Sequence, residues 1–274
     1  MEFKNSNQLK GYLRVESKHL NIHSNHIYTM YFTRQFLRRL TKENKEDFLI
    51  KGSYSQLANI KKIIRPITDI DATSPRDLLD SSYLLEKIIN KKDDPITYKM
   101  KEKFITTRET AAFKIKCSFD KIEHMINFDL KQDNNHKFIK KTLPLVFKKD
   151  QPFDINCATL EQHLANKMYV ILREIVFNKK IKKKIRRFKD YYDVYQIIKE
   201  SSFNEELIMK YLKSNIEKYQ EIDEKVFNQY LFEESFIEKH QEDYQVEAKR
   251  LGFKEEVSFE ETIKAIEKLS EIIK

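Results

Sequence analysis

Two stretches near the start of the chain carry residues whose types and spacing suit phosphate and metal chemistry. One is Lys51-Gly52-Ser53; the other is Arg65-Pro66-Ile67-Thr68-Asp69-Ile70-Asp71. On a β-strand, residues i and i+2 point to the same face, so Asp69 and Asp71 stand side by side. Adjacent carboxylates repel one another, and a bound divalent cation relieves that repulsion. A Gly-Ser turn that opens a helix exposes backbone N–H groups able to hold phosphate oxygens. An isolated Asp-x-Asp is commonly a solvated strand face, and an isolated Gly-Ser is commonly a turn. The two joined by one short helix point to a metal-bound nucleotide.

These residues need particular elements to position them. The apolar run Phe48-Leu49-Ile50 predicts a strand that stops at Gly52-Ser53. Leu57, Ile60 and Ile64 then recur at helical spacing, and a second strand carries the acids, with Ile70 and Ala72 turned to the core,. The first 45 residues read as helical, with Ile27, Met30, Tyr31, Phe36, Leu37 and Leu40 on one face. His19, His23 and His26 have ligand-like spacing, but no local acid or cysteine completes a metal set,. Ser74-Pro75-Arg76-Asp77 predicts a helix start with Ser74 as cap,. Phe113, Ile115, Cys117 and Phe119 alternate with polar residues, as do Ile126, Phe128 and Leu130. Together they predict two strands joined across Asp120 to Met125,. Asp129 then points away from the apolar face, toward the side where Asp69 and Asp71 would project.

From Thr159 onward the pattern is helical. Thr159-Leu160-Glu161-Gln162 reads as a capping box, and further helices are expected near 189–200, 204–218, 223–249 and 258–273,. The expected division is an N-terminal domain of residues 1–152 and a helical domain of residues 153–274.

With 40% hydrophobic and 12% aromatic residues the chain can bury a core despite 35% charged residues,. Only three glycines are present, so Gly52 stands out. The net charge of +9 favours an anionic partner: a nucleotide, an RNA or an acidic protein,. Cys117 and Cys157 provide neither a disulfide framework nor a Cys-x-x-Cys site,. The start lacks the regions of a signal peptide, and no apolar run reaches the roughly 20 residues of a membrane helix. A cytoplasmic protein without membrane attachment is the expectation.

The helical half contributes Lys167, within Leu160 to Lys167, and the run Arg187-Phe188-Lys189-Asp190-Tyr191-Tyr192-Asp193. Locally, Asp190 and Asp193 near a helix start would simply favour the helix dipole. Taken in order, Lys51-Gly52-Ser53, Arg65 with Thr68-Asp69-Ile70-Asp71, Thr159-Leu160-Glu161 through Lys167, and the Asp190 run resemble the AbiEii/AbiGii toxin family of nucleotidyltransferases. The resemblance spans roughly residues 48–195.

That resemblance implies an α+β protein: a nucleotidyltransferase-fold mixed β-sheet with flanking helices, followed by an all-α C-terminal domain. It implies Mg²⁺ or Mn²⁺ on Asp69 and Asp71, with Asp129 in the place of a third carboxylate. Lys51, Gly52, Ser53 and Arg65 would bind the phosphates of a nucleoside triphosphate. Lys167 would neutralise triphosphate charge, and Asp190 would orient that lysine or the acceptor. Family members are toxins of two-gene systems, which implies an antitoxin partner, and some add nucleotides to the tRNA acceptor end. Eight Lys or Arg residues between Lys179 and Lys189 suit an RNA acceptor or a solvated face, and Tyr191 and Tyr192 are candidates to stack on a terminal base,. The alternatives are nucleotidylation of a protein hydroxyl and a catalytically silent protein that binds RNA or a partner.

Overall fold

Helical spacing of the early apolar residues is realised as α1 (Ser6–Leu20) and α2 (Ser24–Glu43). Asn5 caps α1 by accepting from the Gln8 N–H, and Asn21 ends it in the left-handed region at φ 49°,. His19 lies on α1 and His26 on α2, and the three histidines form no metal-holding group. The computed structural model describes residues 3–43, 46–92, 94–107, 109–133, 138–181, 187–219 and 234–272. The chain divides into two compact units, Met1–Thr159 and Leu160–Lys274.

The first unit continues through β1 (Leu49–Ile50), α3 (Gly52–Ile60), β2 (Asp69–Ser74), α4 (Leu78–Ile89) and β3 (Thr97–Thr107). Strands β4 (Thr110–Phe119), β5 (Ile122–Gln132), β6 (Ile139–Leu143) and β7 (Phe153–Cys157) complete it. They form one seven-stranded mixed sheet of order β3-β4-β5-β2-β1-β7-β6. The β2–β5 and β1–β7 pairs are parallel, and the remaining pairs are antiparallel. Alternation decides the faces. Ile70, Ala72, Ile126, Phe128 and Leu130 are buried in the core, with Phe36 of α2 and Phe48 edge-on to Phe128.

Several local expectations are corrected. Helix α3 ends at Ile60, because Lys61 turns into the left-handed region at φ 61°, so Ile64 lies beyond it. Asp77, not Ser74, caps α4 by accepting from the Asp80 N–H. Ser74 instead ends β2, and its Oγ accepts from the Arg76 N–H. The β4–β5 connection is tighter than expected: Phe119 pairs with Ile122 across Asp120-Lys121, with Asp120 at φ 49°. Its carboxylate accepts from the Ser6 N–H and ties this turn to the start of α1. Strands β3 and β6 carry no clean alternation, and β7 alternates over only five residues; none of the three is among the strands expected from the sequence.

In the second unit, α5 (Leu160–Ile181), α6 (Phe188–Glu200), α7 (Glu205–Tyr219), α8 (Glu234–Leu251) and α9 (Phe259–Ile272) follow the expected helical pattern. Residues 220–233, part of the expected helix at 223–249, lie outside the described residues. Tyr191 and Tyr192 are both fully buried, which removes them as a stacking surface for a base. Tyr191 packs edge-on to Phe259, and Tyr192 stacks on Phe253 at 3.9 Å.

Within the first unit, a buried ion pair ties α2 to the segment before β7. Arg34 and Asp150 are both wholly buried; the Arg34 guanidinium donates to the Asp150 carboxylate and to the Gln151 carbonyl. Arg38 also donates to Asp150, and both guanidiniums lie over the Phe153 ring, at 4.9 and 5.2 Å. Removing one charge strands the other in a dry site, at a cost of about 3–5 kcal/mol. An Asp150→Asn variant should therefore lower the urea midpoint markedly, whereas the apolar double variant Arg34→Met/Asp150→Leu should lose much less.

Candidate active site

The carboxylates come together because β2 and β5 are parallel neighbours in one register. Asp71 pairs with Asp129 and Asp69 with Asn127. Paired residues on adjacent strands project to the same face at about 4.8 Å strand spacing. That face is opposite the core: Asp69 and Asp71 are half-buried and Asp129 is exposed, while Ile70, Ala72, Phe128 and Leu130 are inside. The sheet thus brings Asp129 beside Asp71, on the face predicted from its alternation.

Gly52 is the second element of this arrangement. It opens α3 at φ +57°, a left-handed conformation, and a Cβ built on it would lie 1.9 Å from Asp71 Oδ2. Only a residue without a side chain lets the Asp71 carboxylate rest against the start of α3. The Lys51 N–H donates to the Asp71 carbonyl at 2.8 Å, closing the turn from the other side. No acidic residue occupies the first turn of α3, whose leading N–H groups lack intrahelical acceptors,. Ser53 is buried, and its Oγ accepts from Arg65 Nη2 at 3.0 Å. Arg65 is itself buried, so the geometry gives it a positioning contact to Ser53. The far side of α3 is tied down by Ser55 Oγ and Asn59 Nδ2, each donating to the Ala158 carbonyl at 3.1 Å.

Donor chemistry at Asp69, Asp71 and Asp129 suits a hard divalent cation. Among the described residues, no group of three or more His, Cys, Asp or Glu side chains encloses a metal position. Mg²⁺ does not need such a cage, because it binds through one or two carboxylates, waters and substrate phosphates. The residues therefore fit the group.

The second unit holds its own constellation. Lys167 Nζ on α5 donates to Asp190 Oδ1 at 2.8 Å and to Asp193 Oδ2 at 2.7 Å, both on α6. Arg187 Nε donates to Asp190 Oδ2 at 2.9 Å. All three members of the Lys167–Asp190–Asp193 group are buried. Burial alone would raise the Asp190 pKa, but Lys167 and then Arg187 outweigh it and hold the carboxyl well below its usual range. Asp190 thus holds the lysine through a direct hydrogen bond. Asp193 shares that task and was not chosen from sequence; the signal was its i,i+3 spacing from Asp190, which puts both acids on one helix face. In the Lys179 to Lys189 basic run, residues 182–186 and the side chains of 176–181 lie outside the described residues.

The depressed Asp190 pKa fixes a sign. A folded-state value below the unfolded one contributes stability above pH about 4 that is lost as pH falls further. An Asp190→Asn variant should be less stable at neutral pH by about 1.5–3 kcal/mol, the worth of hydrogen bonds to a charged group. The gap to the unmodified protein should close below pH 4 in denaturation curves recorded across that range.

Comparison with known proteins agrees with this geometry. The family model described as nucleotidyl transferase AbiEii toxin, type IV toxin–antitoxin system, matches residues 35–265. No curated protein matches the chain in sequence. Among solved structures, JHP933 from Helicobacter pylori is similar at 14% identity and a TM-score of 0.52, with 90% of this chain and 91% of that one covered. A candidate nucleotidyltransferase from H. pylori is similar at 15% identity and the same TM-score of 0.52, over 89% of this chain and 94% of that one. These two share the fold: a mixed sheet with flanking helices and further helices after it. The carboxylate pair behind a Gly-Ser turn, the motif order and the match over most of the chain lead to one assignment: the chain belongs to the AbiEii family of nucleotidyl transferase toxins of type IV toxin–antitoxin systems.

Proposed function

We propose that this nucleotidyltransferase moves a nucleoside monophosphate from a nucleoside triphosphate to the 3′ end of a tRNA, with Mg²⁺ or Mn²⁺ as the required cation. The observation that carries the reading is the seating of Asp71 against Gly52, with Asp129 in register beside it. It puts acidic oxygens next to the N–H groups that open a helix, the two chemistries that a metal-bound triphosphate needs,.

Each residue then has a role. Asp69, Asp71 and Asp129 would hold the cation, which when bound stabilises charge on the attacking and leaving oxygens of an in-line displacement. The N–H groups following Lys51, with the Ser53 hydroxyl, would hold phosphate oxygens, and Arg65 keeps that hydroxyl in place. Lys167 would neutralise triphosphate charge. Its ammonium is hydrogen-bonded to both Asp190 and Asp193. Asp129, the most exposed of the three carboxylates, is suited to take the proton of the incoming hydroxyl.

The net charge of +9 supports an RNA acceptor, and its phosphates should make binding strongly salt-dependent,. Among the described residues no helix is long and apolar enough to cross a membrane. We place the reaction in the cytoplasm, where nucleotides and tRNA meet, and we infer an antitoxin partner from the family's two-gene systems.

Incubation with Mg²⁺, each α-labelled nucleoside triphosphate and total tRNA should label the RNA. An Asp69→Ala/Asp71→Ala variant should lose the label entirely while its circular dichroism spectrum is unchanged. Label migrating with protein instead would transfer the reading to protein nucleotidylation. No label in any acceptor fraction, with host RNA and protein both supplied, would favour a silent binding protein.

A further inference from the structure

The carboxylate face does not stop at β5. In register, Asp71 pairs with Asp129, Asp129 with Ala112, and Ala112 with Phe104. One row of side chains therefore runs across four strands, from the Asp71 carboxylate to an aromatic ring on the edge strand β3. Phe104 is 51% exposed, a large apolar surface on a face that also carries the acids. Ala112, between the ring and Asp129, is too small to block the path. At about 4.8 Å per strand, Phe104 sits about 10 Å from Asp129. That is roughly three nucleotide rises of a stacked strand.

Cations flank the row. Lys114 Nζ lies 5.7 Å from the centre of the Phe104 ring and pairs with Glu102 at 2.7 Å. Lys116 and Lys99 are register partners one row further, and Lys116 pairs with Glu123 at 2.5 Å. Lys114 and Glu102 are both exposed, and half-buried Lys116 pairs with an exposed Glu123, so each pair is worth little and the lysines are available to phosphates,. The outer strand is poorly suited to pairing with another polypeptide. Its sequence carries Lys99, Lys101 and Lys103, and its register is broken between Met100 and Glu102 and between Ile105 and Thr107,. An exposed aromatic ring beside Lys114, with further lysines along the same strands and in line with catalytic-type carboxylates, fits a single nucleic-acid strand,.

We propose that the open face of β3, β4 and β5 is the platform on which a single-stranded RNA 3′ end docks, with Phe104 stacking on a base upstream of the reacting terminus. Lys99, Lys114 and Lys116 contact the phosphates of that segment. This inference rests on the nucleotidyl-transfer reading and names where its acceptor lies.

The test is equilibrium binding of a short 5′-fluorescein-labelled single-stranded RNA to the full chain, read by anisotropy at fixed salt. Phe104→Ala should weaken binding on the order of 10- to 100-fold, the worth of one base–aromatic stack, while Phe104→Trp should retain it. Lys114→Gln/Lys116→Gln should weaken binding and reduce the slope of log affinity on log salt by about 0.7 per lost phosphate contact. Equal affinity of Phe104→Ala and the unmodified protein overturns the platform. If the protein labels tRNA and Phe104→Ala leaves the KM for tRNA unchanged, the platform fails and the transfer reading stands. If RNA binding depends on Phe104 but no RNA is ever labelled, the transfer reading fails and the platform stands. No RNA binding, with label going to protein, overturns both.

Discussion

The Asp71 carboxylate lies so close to the Cα of Gly52 that no side chain fits between them. Because Gly52 also needs φ +57°, one residue meets a steric and a conformational requirement at the same point of the chain. The contact sets the distance between the start of α3 and β2, and other features follow from it. The Lys51 N–H reaches the Asp71 carbonyl, Ser53 is delivered to Arg65, and α3 is braced from behind by its bonds to Ala158. The parallel pairing of β2 with β5 then carries Asp129 to the side of Asp71. A mixed sheet in this order is the frame that makes two carboxylate strands immediate neighbours although some 60 residues of sequence separate them.

The second unit uses a different device for a similar purpose. Instead of a close backbone approach, it buries one lysine between two aspartates of a single helix turn. Burial raises the cost of each charge, and mutual pairing offsets it, so the three side chains have one arrangement that satisfies all of them. The aromatic packing around Phe188, Tyr191 and Phe259 fixes α6 so that Asp190 and Asp193 face inward. That packing also accounts for the two tyrosines, whose rings are part of the core and not of a binding surface.

Much of this was legible in sequence where a strong local period coincided with a chemical type. Asp69 and Asp71 alternate with Ile70 and Ala72, and Asp129 alternates with Phe128 and Leu130, so their common outward face could be read directly. Gly52 was conspicuous through the scarcity of glycine. The steric contact that makes it necessary is non-local and appears only once β2 folds beside α3. Strands β3 and β6, at the two edges of the sheet, escaped because lysine-rich or short segments give no clean alternation, which edge positions tolerate; β7 alternates Phe153, Ile155 and Cys157 with Asp154 and Asn156, but over only five residues. The Ser74 cap was misassigned because an Asp three residues later competes for the same role, and strand pairing holds Ser74 in β2. Phe104 could not be singled out beforehand, since its exposure depends on which face a bulged edge strand presents.

The central claim is that the Gly52–Asp71 junction, with Asp69 and Asp129, receives a metal-bound triphosphate. The most direct measurement is the anomalous scattering of Mn²⁺ in crystals grown with a non-hydrolysable nucleoside triphosphate. The account predicts a Mn²⁺ peak at coordination distance from Asp69 and Asp71, with phosphate oxygens at the N–H groups that open α3. A fully occupied nucleotide whose metal lies away from these aspartates would contradict it.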